Sequence, residues 1–472
     1  MKNNRTIEEI HNLLTQKEIS CEALVREYLQ IISEKDKDLH AFLSVMEEEA
    51  IAQAIRVDEK IARGEEIGLC EGVPISLKDN IALKGSITTA GSKMLENYKA
   101  AYDAFVVEKL NEAGMIILGK TNLDEFAMGG STENSAFGVT KNPHDNSRVP
   151  GGTSGGAAAS VASGEVVAAI GSDTGGSIRQ PSAFCGVVGL KTTYGSVSRS
   201  GLIAMTSSYD QIGPITNSVR DAEILFDLIR GKDPKDATSV TYPESFVKKS
   251  DTWTVGIPKE YFGEGLEPEV KELVDAAVED LKGLGATIKE ISLPHASYAL
   301  ATYYIIMFAE ASSNLARFDG MRYGLSEDGE DLLDTYKESR TKGFGREVRR
   351  RIILGTHVLS SGYYDAFYGR AQKTRVLIKQ DFDKAFEGVD MILTPTTPTP
   401  AFKIGEKSQD PLAMYLADIY TVSVNLAGVP AISIPCGKVG DLPVGMQLIA
   451  PNFQEHRLFD LGKKYEEVRG DI

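Results

Sequence analysis

The sequence predicts an α/β layered fold. Short apolar runs bounded by Gly and Pro, VPISL, MIILG and EVVAAIG, read as buried strands. Helix-period stretches lie between them, and the same alternation restarts after a polar interruption near the middle of the chain.

In chain order, Thr6 and Glu9 form a capping-box pattern ahead of Ile7, Ile10 and Leu14 at helical spacing. A second helix is expected from about Ser20 to Ser33 and a third from about Glu47 to Arg63, which makes residues 1–65 an all-helical segment. Strands begin after Gly72. Asp103 to Ala113 is expected as a helix capped by Asp103 and stopped by Gly114. Following a helix at Asp221–Ile229, the segment RGKDPKDATSVTYPESFVKKSD, residues 230–251, reads as a long surface connection. TVGIP and ATIKEISLP then flank a helix at Glu267–Gly283, residues 300–388 are helical by pattern, and DMILTPTTP, AISIPCG and PVGMQLIAP are strands before a last helix at about Glu455–Val468.

The chain has 51 basic and 67 acidic residues, a formal net charge of -16, so it lacks the basic footprint of a protein that wraps nucleic acid or docks on an anionic membrane. Cys21, Cys70, Cys185 and Cys436 show no CxxC or Cys/His spacing, which points away from zinc or a disulfide framework and toward a reducing cytoplasmic setting. MKNNRTIEEIHNLL lacks a signal-peptide apolar region, and no apolar run approaches the ~18 residues of a membrane span. The expectation is a cytoplasmic protein with no membrane partner and no metal.

GMIILGKT, residues 114–121, fits the phosphate-loop pattern GxxxxGK[ST]. A phosphate loop needs a strand before its first Gly and a helix after; here a helix precedes Gly114 and the inner residues are those of a core strand, so the strand reading is the stronger. Lys78 ends the apolar run of GVPISLKDN. There it is either a desolvated, neutral amine able to accept a proton or an ion-pair partner of Asp79. Two glycine turns follow in PGGTSGGAAASVASGEVVAAIGSDTGGSIRQPSAFCG, residues 150–186. Turns of this kind are structural, cradle a phosphate, or converge backbone N–H groups on an oxyanion. Two hydroxyl-bearing glycine turns with a strand-borne lysine upstream favour acyl transfer. His144 is the only one of six histidines near them, so a serine–histidine pair is poorly supported.

SLKDN with Lys78, PGGTSGG, and GSDTGGSIRQPSAFCG together resemble the amidase signature family, which hydrolyses amides with a Ser, Ser, Lys triad. FAMGGSTENSAFGVTKNPHD, GLIAMTSSYDQIGPITNSVRDAEIL, AEASSNLARFDGMRYG and VNLAGVPAISIPCG look like the glutaminase branch of that family, over essentially the whole chain. The resemblance implies one domain over residues 1–472, with a mixed sheet of about eleven strands sandwiched between helices. It also implies that Ser177 attacks the amide carbon, that a hydroxyl of the first glycine turn relays its proton to Lys78, and that Thr174, Gly175 and Gly176 supply the oxyanion hole. The relay falls at Thr153, where the family carries serine; the neighbouring Ser154 stands one residue off. For the substrate, glutamine, Arg351 is implied as the α-carboxylate partner, with Arg349 and Arg350 as alternatives. Asp418 is implied as the α-amino partner, and Tyr303 or Tyr304 closes the pocket. The released ammonia would pass to a B subunit that holds misacylated Glu-tRNA(Gln) or Asp-tRNA(Asn) and uses ATP and Mg, with a C subunit clamping the two. The chain itself then needs no cofactor and meets tRNA only indirectly. The alternative is a stand-alone amidase of the same family acting on another small amide.

Overall fold

Thr6 Oγ1 accepts from Glu9 N (3.1 Å) and Glu9 Oε2 accepts from Thr6 N (2.7 Å), the reciprocal bonds of the capping box, and they open α1 (Ile7–Thr15). The computed structural model describes residues 5–243, 252–263 and 265–470. Helix α2 (Cys21–Leu39) runs beyond the expected Ser33 and stops at His40, whose φ of 56 is left-handed. The next residues overturn an all-helical 1–65. Phe42–Val45 form strand β1 before α3 (Glu47–Ala62), because FLSV finds a sheet edge to pair with, and a four-residue strand leaves almost no periodicity to detect.

Strands β2 (Pro74–Lys78), β3 (Ile116–Thr121) and β4 (Ala168–Asp173) are fully buried, as their continuous apolar runs require of parallel neighbours. Helix α4 (Phe105–Glu112) lies between β2 and β3. Asp103 does not cap it; the N-cap is Ala104, and the Asp103 carboxylate accepts from Lys84 N (2.7 Å). The small-residue run after the first glycine turn is α5 (Gly155–Ala162), and the second turn leads into α6 (Arg179–Cys185). Strands β5 (Val188–Lys191) and β6 (Gln211–Thr216) were not legible in the sequence. VGLK is short, and QIGPIT carries Gly213 and Pro214 mid-strand, a composition that argues against a central strand. After α7 (Val219–Ile229), residues 230–243 hold no helix or strand, and 244–251 of the expected connection lie outside the described residues.

The second half supplies β7 (Thr254–Pro258), α8 (Pro268–Gly283), β8 (Thr287–Ile291), the helices α9 (Ala299–Asn314), α10 (Leu332–Gly343), α11 (Arg346–Leu359) and α12 (Arg370–Phe386), then β9 (Met391–Pro395). Helices α13 (Pro411–Leu416) and α14 (Val422–Ala427), strands β10 (Ala431–Val439) and β11 (Leu442–Ile449), and α15 (Glu455–Arg469) complete it. The strands form one mixed sheet of eleven, ordered β1-β3-β2-β4-β6-β5-β10-β11-β9-β7-β8. A main apolar core runs through the chain, and a small satellite gathers Val149, Phe184, Ala401 and Phe402. Among the described residues no helix is long and apolar enough to cross a membrane, and no group of three or more His, Cys, Asp or Glu is placed to hold a metal.

In GMIILGKT, Gly114 takes φ 73 at the end of α4 and the rest is β3. Lys120 Nζ meets Asp79 Oδ1 at 3.0 Å with both side chains buried, and it also donates to Ile81 O (2.8 Å). Replacing one member of a buried pair leaves the other charge uncompensated. Lys120→Met is therefore expected to lose about 3–5 kcal/mol of unfolding free energy in urea titrations. Millimolar ATP is expected to leave the melting temperature of the unmodified chain unchanged; a stabilising shift abolished by Lys120→Met would restore the nucleotide reading.

Candidate active site

Lys78 is the last residue of β2, fully buried. Its Nζ lies 2.6 Å from Thr153 Oγ1, 2.8 Å from Ser154 Oγ, 2.9 Å from Ser172 Oγ and 3.3 Å from Ser172 O. Burial pushes the amine down to about 7, while Asp124, Asp173 and Asp210 pull the other way. The Asp79 alternative is excluded by geometry: that carboxylate is taken by Lys120 and by Thr89 N and Oγ1, at 2.8 and 2.5 Å.

A neutral amine donates two hydrogen bonds and accepts one. Ser154 donates its own proton to Ser172 O (3.0 Å), so its oxygen is an acceptor for Nζ. Ser172 Oγ likewise accepts from Asn80 Nδ2 (3.0 Å) and from Nζ. Of the three hydroxyls, Thr153 is the nearest to the amine. Thr153 follows a cis Gly152–Thr153 peptide. At Gly152 a Cβ would sit 2.4 Å from both Ser131 N and Asp124 Oδ2, so only glycine fits between the turn and the loop beneath it.

Ser177 stands in the second turn, between β4 and α6. Every other residue from 149 to 185 is buried; Ser177 alone is half-buried and reachable. Its carbonyl accepts from Ser154 N (3.1 Å), which ties the two turns together. Thr174 Oγ1 donates to Asp210 Oδ1 (2.7 Å), a carboxyl pushed up to about 6 by burial. Of the three expected oxyanion donors, Gly176 N–H is already engaged, donating to Asp173 Oδ1 (2.9 Å). Gly175 lies against Tyr303, whose hydroxyl oxygen would be 2.5 Å from a Cβ there.

Asp173 and Arg179 form a buried ion pair (3.0 Å) flanking the turn; burial opposes the Asp173 charge, but Arg179 outweighs it and holds the carboxyl well below the usual range. The pair was not singled out from the sequence, although two opposite charges closing GSDTGGSIR are a readable signal. Their partners Thr421, Asn425 and Gln447 come from more than 240 residues away and leave no local signal.

Among the three arginines, Arg351 shares the inward face of α11 with Val348, Gly355 and Val358, whereas Arg350 is partly exposed and pairs with Glu347. Arg351 Nε pairs with Glu347 Oε1 (2.8 Å) and its guanidinium lies over the Tyr304 and Tyr415 rings, 5.9 and 5.7 Å from their centroids. Tyr304 donates to Asp418 Oδ2 (3.2 Å), and burial pushes the Asp418 carboxyl up to about 7. Both tyrosines thus have places, Tyr303 over Gly175 and Tyr304 on Asp418. His144 lies elsewhere, with Nε2 2.9 Å from Cys185 O at the far end of α6.

The arrangement is a buried amine, pushed down to about 7, within hydrogen-bond reach of the Thr153 hydroxyl, with a half-buried serine in the adjoining glycine turn. Comparison with known proteins agrees with that chemistry. The family model described as Amidase matches residues 23–459. The chain is 56% identical over 472 residues to the A subunit of glutamyl-tRNA(Gln) amidotransferase from Heliobacterium modesticaldum, covering 99% of this chain and 97% of that one. It is 56% identical over 471 residues to the protein of the same name from Geobacillus thermodenitrificans, covering 98% and 97%. The crystal structure of the corresponding glutamyl-tRNA(Gln) amidotransferase protein from Thermotoga maritima superposes with a TM-score of 0.82 at 43% identity, covering 99% of this chain and 95% of that one.

Thr153 lies nearer the amine than Ser154, whose proton goes to Ser172 O. Thr153→Ser is expected to keep turnover within a few fold, while Thr153→Ala lowers kcat about 10²- to 10⁴-fold with a smaller effect on KM. Ser154→Ala is expected to cost much less. Steady-state kinetics on folded variants checks this, and a reversed order would place the relay at Ser154.

Proposed function

Because the chain belongs to the amidase family, we propose that it is the glutaminase component of a glutamyl-tRNA(Gln) amidotransferase, its A subunit, releasing ammonia for transamidation of a misacylated tRNA. The observation that carries this reading is the 2.6 Å contact between the buried Lys78 amine and Thr153 Oγ1, beside an accessible Ser177, in a chain so similar to those proteins. Neutral Lys78 takes the Thr153 proton as Thr153 takes that of Ser177, and Ser177 Oγ attacks the glutamine amide carbon. Backbone N–H groups of the Thr174–Ser177 turn, other than the Gly176 N–H held by Asp173, stabilise the oxyanion. The proton returns to the leaving nitrogen, ammonia departs, and water hydrolyses the γ-glutamyl ester to glutamate and free Ser177. Arg351 holds the α-carboxylate in the manner of a guanidinium–carboxylate pair, and Asp418 holds the α-ammonium.

The acidic chain leaves tRNA, ATP and Mg to a B subunit, with a C subunit completing a cytoplasmic heterotrimer. Bound glutamine needs Asp418 ionised and catalysis needs Lys78 neutral, and both groups sit at about 7. kcat is therefore expected to rise as pH passes about 7 while KM falls over the same range, and His144→Ala should leave both profiles in place. Loss of the rising limb in His144→Ala would instead revive a serine–histidine mechanism.

Glutamate release from glutamine, assayed with and without the B and C subunits, tests the function itself. The expected result is hydrolysis that the partners accelerate and Ser177→Ala abolishes, with no tight tRNA binding by the isolated chain at physiological salt. Turnover of other small amides without glutamine turnover would favour the stand-alone amidase.

A further inference from the structure

The Gly175–Gly176 peptide is gripped at both ends by side chains. Its N–H donates to Asp173 Oδ1 (2.9 Å) and its carbonyl accepts from Thr421 Oγ1 (2.6 Å). The C=O and N–H of a trans peptide point in opposite directions, so these partners hold the plane from opposite sides. Thr421 has one hydroxyl proton and a second carbonyl, Asp418 O, at 3.1 Å; the shorter contact is the one to Gly175.

Neither glycine can be exchanged for a stiffer residue. A Cβ at Gly175 would lie 2.5 Å from the Tyr303 ring, and one at Gly176, whose φ is 133, would lie 2.3 Å from Thr421 Oγ1. The turn beside Ser177 is thus built from the two most conformationally permissive residues available, and its stiffness has to come from outside. Thr421 also sits on the turn that carries Asp418, its N–H donating to Asp418 O (3.0 Å), while its carbonyl accepts from Arg179 Nη1 (3.2 Å).

We propose that Thr421 is a positioning residue: its hydroxyl fixes the Gly175–Gly176 peptide, and with it the backbone donors beside Ser177, relative to the turn that presents Asp418. The proposal rests on the glutaminase reading above. Without this donor the peptide is anchored only at Asp173 and rocks, so stabilisation of the developing oxyanion suffers while the Arg351 and Asp418 contacts to bound substrate persist. The loss therefore falls on kcat.

Glutaminase kinetics on the full chain with its partner subunits, comparing Thr421→Ser with Thr421→Ala, isolates the hydroxyl. Thr421→Ser is expected within about 3-fold of the unmodified chain. Thr421→Ala is expected to lose about 10- to 100-fold in kcat, less than deletion of an oxyanion donor outright, with KM within about 3-fold. Should the alanine variant not fold, Thr421→Cys, which keeps the size of serine but offers only a weak S–H donor, is expected to show the same kcat loss. Equal rates for Ser and Ala (or Ser and Cys), or a loss confined to KM, would overturn the proposal. An unmodified chain inactive on glutamine, or a Ser177→Ala variant that keeps its rate, would instead refute the glutaminase reading itself.

Discussion

An amine without solvent exposure must either keep its charge against a large desolvation cost or give it up and be satisfied as a neutral group. Lys78 is in that position, and much of the site follows from it. The three hydroxyls of Thr153, Ser154 and Ser172 ring its nitrogen, and three carboxylates stand far enough away to bias it without pairing. Had Asp79, the next residue, turned inward, Lys78 would have stayed an ammonium and could accept no proton. Lys120 removes that option by occupying Asp79 from the neighbouring strand β3. The residue that gives GMIILGKT its nucleotide-loop look thus helps keep the Lys78 amine clear of a carboxylate partner.

The second glycine turn has its own anchor in Arg179. Its guanidinium has five N–H donors and all are used: two on Asp173, and one each on Thr421 O, Gln447 Oε1 and Asn425 Oδ1. One buried side chain therefore joins the end of β4, helix α14, the turn before it and strand β11. The gain is geometric. Ser177 can stay reachable while everything around it is fixed, and the Asp418 turn is set against the same frame.

The helical layer carries the buried cation Arg351 and the tyrosines around it. Helix α11 packs on α9, so the residues along its inward face, Arg351 among them, meet the tyrosines that α9 presents. Burial there opposes the Arg351 charge, yet Glu347, Tyr304 and Tyr415 more than offset it and keep the guanidinium charged. Asp418 lacks so strong a partner, and its carboxyl is correspondingly pushed up. A site with a committed cation and an uncommitted acid suits an amino-acid ligand, whose ammonium supplies the missing charge.

The sequence by itself determined the strand and helix alternation, the capping box at Thr6, the strand identity of GMIILGKT, and the placing of Lys78 at the end of a buried strand and of Ser177 in a glycine turn. Each is written in neighbouring residues: an apolar run, a glycine turn, a lysine ending a buried strand. It could not deliver β1, β5 or β6, because four-residue strands and a strand holding Gly213 and Pro214 are stable only through the partners that flank them. Nor could it choose among candidates that look alike locally. Tertiary structure decided that Asp79 belongs to Lys120, that Thr153 lies nearest the Lys78 amine while Ser154 donates to Ser172 O, that Arg351 is the inward arginine of three, and that Thr421 grips Gly175 across 246 residues. Hydrogen bonds and ion pairs are settled by distances of about 3 Å between side chains, and such distances between remote segments exist only once the sheet has brought them together.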